Sequence, residues 1–334
     1  MSEKSGSSAV DSKSSRDAIC NAGAGAAAGQ LSVLSHLYLD SWLILRTFSG
    51  AIAATFVCPL DVIKTRLQVH GLPETRRGSV IITSLGNILK KEGIRGMYRG
   101  LSPTIIALLP NWAVYFSVYG KLKDLLQSSD GKLSIGANMV AAAGAGASTS
   151  IATNPLWVVK TRLMTQGMRP DVVPYKSMLS AFSRICKEEG FRGLYSGVIP
   201  SLVGVSHVAI QFPVYEKIKQ YMAKVGDTSV DKLSPGEVAV ASSISKVIAS
   251  VSTYPHEVVR SKLQEQGQVR KVKAKYSGVI DCAKKVFINE GVPGFYRGCA
   301  TNLLRTTPSA VITFTSYEMI HRFLVQVVSP EKES

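Results

Sequence analysis

Acidic residues are scarce in this 334-residue chain: 23 Asp and Glu stand against 39 Lys and Arg, a formal net charge of +16. Cysteine is scarcer still. The five present (Cys20, Cys58, Cys186, Cys282 and Cys299) share no CxxC spacing and have no histidines at zinc-finger distance. That excludes a disulfide framework or a structural zinc site and leaves them as small core or membrane residues. No N-x-S/T sequon occurs, and neither a metal site nor a catalytic residue is assigned. Charged residues make up only 19% of the chain, 46% is hydrophobic, and the mean hydropathy is +0.14. Such a chain could form two soluble domains or one polytopic membrane domain, and positive mean hydropathy favours the second. Surplus positive charge suits nucleic acid, but it serves equally well along one side of a membrane protein.

What the sequence does have is a period. "CPLDVIKTRLQ" around Pro59 returns as "NPLWVVKTRLM" around Pro155 and "YPHEVVRSKLQ" around Pro255, at steps of 96 and 100 residues. A second motif keeps the step: "EGIRGMYRG" from Glu92, "EGFRGLYSG" from Glu189 and "EGVPGFYRG" from Glu290. Two motifs repeating in phase define a threefold internal repeat of about 100 residues. Apolar segments precede the prolines (135 to 154 and 236 to 254 in the later copies) and follow each YxG (101 to 119, 198 to 215, 299 to 317). Each has about the 20 residues needed to cross roughly 30 Å of hydrocarbon, so six membrane helices are expected. The three connections between proline motif and YxG hold 24 of the 39 Lys and Arg, which makes that side the inside of its compartment. "SMLSAFSRICKE" (177 to 188) and "SGVIDCAKKVFIN" (277 to 289) are too polar to span and should lie as helices along the inner surface. Six apolar spans exclude a nucleic-acid-binding role. "GAGAAAG" and "GAGAST" superficially match a dinucleotide-binding glycine loop, but neither follows a strand, and small residues four apart are how membrane helices pack.

The thrice-repeated P-x-[D/E]-x-x-[K/R]-x-[K/R], each copy followed by E-G-x-x-x-x-aromatic-x-G, resembles the mitochondrial carrier family over residues 51 to 326. The resemblance implies an all-α monomer, not an enzyme, of six transmembrane helices in three pseudo-threefold repeats, forming a barrel that opens alternately to either side. It implies repeats at 20–125, 133–224 and 234–326, between a disordered tail at 1–19 and a short one at 327–334. A proline inside a membrane helix bends its axis, which would bring three helix ends together below a central cavity.

Roles for charged residues follow from the same resemblance. An inner gate would pair Asp61 with Lys160 and Glu257 with Lys64, while Trp157 stands where the third acid belongs and offers Arg260 a cation–π contact of ~1–2 kcal/mol. Gln68 and Gln264 occupy the bracing position, and Met164 is the third residue there. An outer gate would pair Glu318 with Lys123 and Glu216 with His321; Gly120 replaces an acid and leaves Lys219 without its partner. Seven residues past each YxG glycine, the substrate-contact positions fall on Ala107, Gly204 and Arg305. Asn111, Trp112, His207, Gln211 and Lys246 lie nearby: a ring to stack, amides for base edges and cations for phosphates suit a nucleotide. Interhelical packing is the alternative for Trp112 and His207.

"PLWVVKTRL", "LPNWAVYF", "SHVAIQFPVYE" and "NLLRTTPSAVITFTSYE" resemble the subgroup of carriers for NAD, folate or flavin, and pyrimidine nucleotides, most of all the NAD carriers of plant organelles. This implies import of NAD+ in exchange for ADP, AMP or related nucleotides, with NAD+ as substrate and no cofactor. The expected location is the mitochondrial inner membrane, with cardiolipin a candidate partner at its inner surface and plastid or peroxisomal membranes as alternatives. One stretch departs from the pattern. Repeat two has Ala142 and Gly146 at 13 and 9 positions before its proline, and repeat one has Arg46 and Gly50 there, while Gly25 and Gly29 show the expected spacing 21 residues earlier. Residues 30–50 therefore read as an insertion. Either residues 41 to 58 form a replacement first helix with Trp42, Arg46 and Phe48 at packed positions, or the chain folds poorly and is inactive.

Overall fold

The computed structural model describes residues 45–71, 79–127, 134–168, 173–226, 229–230, 233–267 and 275–328. Side chains of 135, 235, 307, 314 and 321–328 lie outside the description, as do Cys20, Gly25, Gly29 and Trp42. Each repeat contributes a long helix through the proline motif, a surface helix and a second long helix. These are α1 (Leu45–His70), α2 (Val80–Met97) and α3 (Leu101–Leu126); α4 (Ile135–Thr165), α5 (Met178–Leu194), α6 (Val198–Gly204) and α7 (His207–Val225); α8 (Pro235–Glu265), α9 (Val279–Gly294) and α10 (Cys299–Val328).

Three of the expected six spans are apolar enough to cross a membrane by length and composition alone: Leu45–His70, Leu101–Leu126 and Val198–Val225. Helices α4, α8 and α10 reach 30 residues or more, but serines, threonines and charged groups dilute their hydropathy. The second repeat's even span is broken, with non-continuing residues Val205 and Ser206 between α6 and α7. A Cβ on Gly204 would stand 2.6 Å from the His256 imidazole, so α8 lies close against α6 just before this break.

Helix contact along the odd helices follows a stripe of small residues four apart, the spacing that brings one helix face into line. Ala141, Ala145, Thr149 and Thr153 on α4 match Ala241, Ser245 and Ala249 on α8, all nearly or fully buried apart from the half-buried Thr253 that ends the α8 row. On α1 the same offsets, 14, 10 and 6 before the proline, are Leu45, Ser49 and Ala53, each buried. Residues 45–50 thus belong to α1 and keep its packing register, which the offsets of 13 and 9 concealed. Phe48 is 62% exposed on the outward face and is not at a packed position. Gly50 approaches Leu108 of α3.

Below the membrane spans, the inner end of each odd helix packs on its surface helix. Val62, Ile63 and Leu67 meet Ile88; Val158, Val159 and Leu163 meet Ala181 and Ile185; Val259 and Leu263 meet Cys282 and Val286. Burying each such aliphatic side chain contributes ~1.5–3 kcal/mol. Burial also pushes the Cys282 thiol up to about 11, consistent with an inert packing residue. The chain then turns through Gly93, Gly190 or Gly291 (φ 67, 70 and 65°) and enters the even helix through Gly100, Gly197 or Gly298 (φ 93, 76 and 82°). A Cβ on Gly298 would meet Lys64 O and Tyr254 Oη at 3.1 Å. Gly100 abuts Met164, and Gly197 abuts Gln264 and Arg260 O. Each YxG glycine therefore seats its repeat against the next repeat's odd helix, the third closing on the first. Gly298→Ala is expected to lower thermal stability in detergent by ~1–3 kcal/mol through strain and crowding. Gly120→Ala, at a helical position with nothing near its Cβ, should be neutral or raise it by ~0.5–1 kcal/mol.

Candidate functional site

Just past the three prolines, the inner ends of α1, α4 and α8 are joined by two tiers of charge. In the first, Lys160 Nζ donates to Asp61 Oδ2 at 3.0 Å and Lys64 Nζ lies 2.7 Å from Glu257 Oε2. Arg260, the third base, has its guanidinium 5.7 Å from the Trp157 ring centroid, and Lys160 Nζ lies 4.8 Å from the same ring. The Trp157 indole N–H is held by Thr153 Oγ1 at 3.1 Å. Arg260 Nε has no hydrogen-bond partner among the described residues. A ring of hydroxyls braces the tier: Ser261 donates to Gln68 Oε1 and Thr161 to Gln264 Oε1, both at 2.8 Å, while Thr65 donates to Asp61 O of its own helix at 2.9 Å and meets only the Met164 sulfur, at 3.5 Å, across the helix gap. Gln68 also donates to Tyr254 Oη at 2.8 Å.

The second tier was not anticipated from the sequence. Arg66, Arg162 and Lys262, two residues after the gate bases, pair with Glu92, Glu189 and Glu290 at 2.6, 2.5 and 2.7 Å. The same side chains reach the next odd helix: Arg66 Nε donates to Met164 O at 2.9 Å, Arg162 Nε to Gln264 O at 3.0 Å and Lys262 Nζ to Val69 O at 3.2 Å. A constant spacing of 26 to 28 residues between each base and its acid was the available signal. Arg99 also donates to Glu92, and Arg297 lies 2.6 Å from Glu290. Burial alone would raise the Glu92 carboxyl, but bonds from Arg66 and the charge of Arg99 outweigh it and hold it below its ordinary value. Its contribution to stability is therefore complete at neutral pH and is lost only as pH falls through that lowered value.

Above the closed tier lies a cavity of about 1010 Å³, lined by Arg46 of α1, Lys246 of α8 and Arg305 of α10 among others. Arg305 Nη1 stands 2.9 Å from Asp61 Oδ1, so this acid is shared between Lys160 and the cavity. Its Nη2 donates to Asn302 Oδ1 at 3.2 Å, and its Nε has no partner among the described residues.

The sequence that builds this geometry has known relatives. The family model for mitochondrial carrier protein matches residues 41–130, 131–226 and 231–328. The chain belongs to the mitochondrial carrier family. Among its relatives, nicotinamide adenine dinucleotide transporter 2, mitochondrial, of Arabidopsis thaliana is 74% identical over 326 residues, spanning 96% of this chain and 84% of that protein. Nicotinamide adenine dinucleotide transporter 1, chloroplastic, of the same plant is 62% identical over 324 residues, spanning 96% of each. Mitochondrial nicotinamide adenine dinucleotide transporter 1 of Saccharomyces cerevisiae is 40% identical over 291 residues, 84% of this chain and 76% of its own.

Other expected positions of the carrier site distribute unevenly. Lys246 and Arg305 line the cavity, whereas Ala107 is 2% exposed and Gly204 faces His256. His207 Nδ1 lies 3.4 Å from Thr253 Oγ1, an interhelical contact, and Asn111 and Gln211 are half-buried and not among the described lining residues of the cavity. Trp112 is covered by the Arg46 guanidinium, 4.5 Å from its ring centroid, and stacks on Phe116 at 5.6 Å. Here it packs, as the alternative reading allowed, and presents no bare ring to a base. Arg46 faces the cavity, not a tight helix contact, which corrects its expected place. Toward the outer side no ion pair joins Lys123 or Glu216 to a partner among the described residues, and Lys219 lies over Tyr215 at 4.6 Å. Glu318 is exposed at the cavity rim, and the His321 side chain falls outside the description. The two ion pairs of the first tier join the inner ends of the odd helices and close that side of the cavity.

The buried Arg162–Glu189 pair, with side chains 1% and 6% exposed, makes a clear expectation. Glu189→Gln leaves a buried cation short of its counter-charge and should cost ~3–5 kcal/mol, read as a lower melting temperature in detergent, while Arg162→Met with Glu189→Leu should recover much of it. Trp157→Asp supplies the missing acid beside Arg260. It should raise the melting temperature and slow exchange several-fold; unchanged stability with slowed exchange would place Trp157 in the substrate path instead.

Proposed function

We propose that this carrier moves NAD+ across an organelle membrane in exchange for ADP, AMP or a related nucleotide, by alternating access around the cavity above the inner gate. The observation that carries this reading is the 74% identity, over 96% of the chain, to a protein named as a mitochondrial NAD transporter, alongside a basic cavity of dinucleotide size. The mitochondrial inner membrane is the proposed location, although a chloroplastic relative stands at 62% identity. The chain works as a monomer in the bilayer, with cardiolipin at its inner surface.

The proposed cycle starts with the inner side closed. Substrate enters from outside, and a phosphate oxygen takes up donors of Arg305, including the Nε left without a partner. Guanidinium binds phosphate in a bidentate fork. In doing so it withdraws positive charge from Asp61, whose two oxygens serve Arg305 and Lys160. The Asp61–Lys160 pair is then weakened at the moment the cavity is occupied, and a gate with two ion pairs of three opens at lower cost. Glu318–Lys123 and Glu216–His321 then form the outer closure.

Liposomes holding internal ADP and the purified full chain should take up labelled NAD+, and unlabelled NAD+ should compete better than folate, FAD or pyrimidine nucleotides. Uptake of folate or of a pyrimidine nucleotide with no NAD+ exchange would overturn the reading. Arg305→Lys keeps the charge but loses the fork and should cut NAD+ exchange at least tenfold; normal exchange with normal half-saturation would remove Arg305 from the substrate site.

A further inference from the structure

The geometry points to Arg46 as a second phosphate-binding residue of the cavity, an outer station that captures the nucleotide before Arg305 receives it. The observations that carry it are positional. Arg46 and Arg305 line one cavity with Lys246, against the single acid Glu318 among its described lining residues. Arg46 lies fifteen residues before Asp61 on α1, an axial rise of about 22 Å, and Lys246 lies eleven before Glu257 on α8, about 16 Å. Arg305 reaches Asp61 itself. The three cations thus descend from the outer end of the cavity to the gate. The corresponding positions in the other repeats, Ala142 and Ser242, are small and uncharged, so the outer cation is confined to α1.

Trp112 is the positioning residue. An arginine laid on an indole has its guanidinium plane held in one orientation, and a planar guanidinium fork matches the geometry of a phosphate. The 4.5 Å stacking distance and the Trp112–Phe116 pair behind it provide such a mount. The cation also avoids the cost of facing lipid, because Phe48, two residues on, takes the outward face.

This inference rests on the reading of the cavity as a nucleotide path, and its test separates the two. In liposomes with internal ADP, Arg46→Gln in the full chain should raise the half-saturating NAD+ concentration about tenfold, more than it lowers the maximal rate. Arg46→Lys should keep it within about threefold, and Trp112→Leu should raise it while leaving the charge in place. An unchanged half-saturation in Arg46→Gln with normal NAD+ exchange overturns the inference and leaves the function intact. If the wild type exchanges ADP but not NAD+, the proposed function falls, and the same comparison with external ADP decides Arg46. Should Arg46→Gln reconstitute poorly, ADP-induced thermal stabilisation in detergent replaces transport: loss in Gln with retention in Lys supports the station, and equal behaviour of the two variants overturns it.

Discussion

The fold hangs on charges that cannot be left unpaired where the three odd helices converge. Arg162 and Lys262 are almost fully buried, and burying a lone cation costs several kcal/mol even after relaxation. Each is satisfied twice, by the glutamate of its own surface helix and by a carbonyl of the next odd helix. Arg66 repeats the arrangement. These bonds run in one rotational sense, α1 to α4, α4 to α8 and α8 to α1, so closing any two leaves the third positioned. The gate above can therefore break and re-form without dismantling the helix ends, because a second tier holds each odd helix to its surface helix.

Departures from threefold symmetry fall in two sectors. Trp157 replaces an acid and leaves Arg260 with an aromatic face; Met164 replaces a bracing amide and offers Thr65 only a weak sulfur acceptor. Ser196 stands where Arg99 and Arg297 add a second cation to their glutamates. The α4 sector of the inner closure is thus the least strongly bonded. Opposite in character, the α1 and α10 sector concentrates cations, with Arg46 and Arg305 facing one cavity. A substrate with a charged centre and two neutral ends has reason to lie toward that side.

Sequence pattern alone was enough to read the repeat and the helix order, written as a period of about 100 residues and apolar lengths of about 20, whereas the pairing of Asp61 with Lys160 and of Glu257 with Lys64 came from the family resemblance, because spacing along one chain does not say which acid meets which base. The Arg66, Arg162 and Lys262 anchors were equally regular but went unread, since their acids lie a surface helix away and only folding that helix back makes them neighbours. Segment 45–50 failed for a related reason. Its composition resembles nothing at that place in the other repeats, yet helix packing tests only the small positions, and Ser49 and Ala53 satisfy them.

What the sequence by itself determined is the set of local commitments: which segments are helical, which faces are apolar and where the basic residues fall. Tertiary structure alone decided the direction of the contested side chains. Arg46 could have faced lipid, a helix or the cavity with the same helical propensity, and Trp112 could have been a bare ring or a mount. Both were settled by what stands opposite them across an interhelical distance, which no periodicity along one chain encodes.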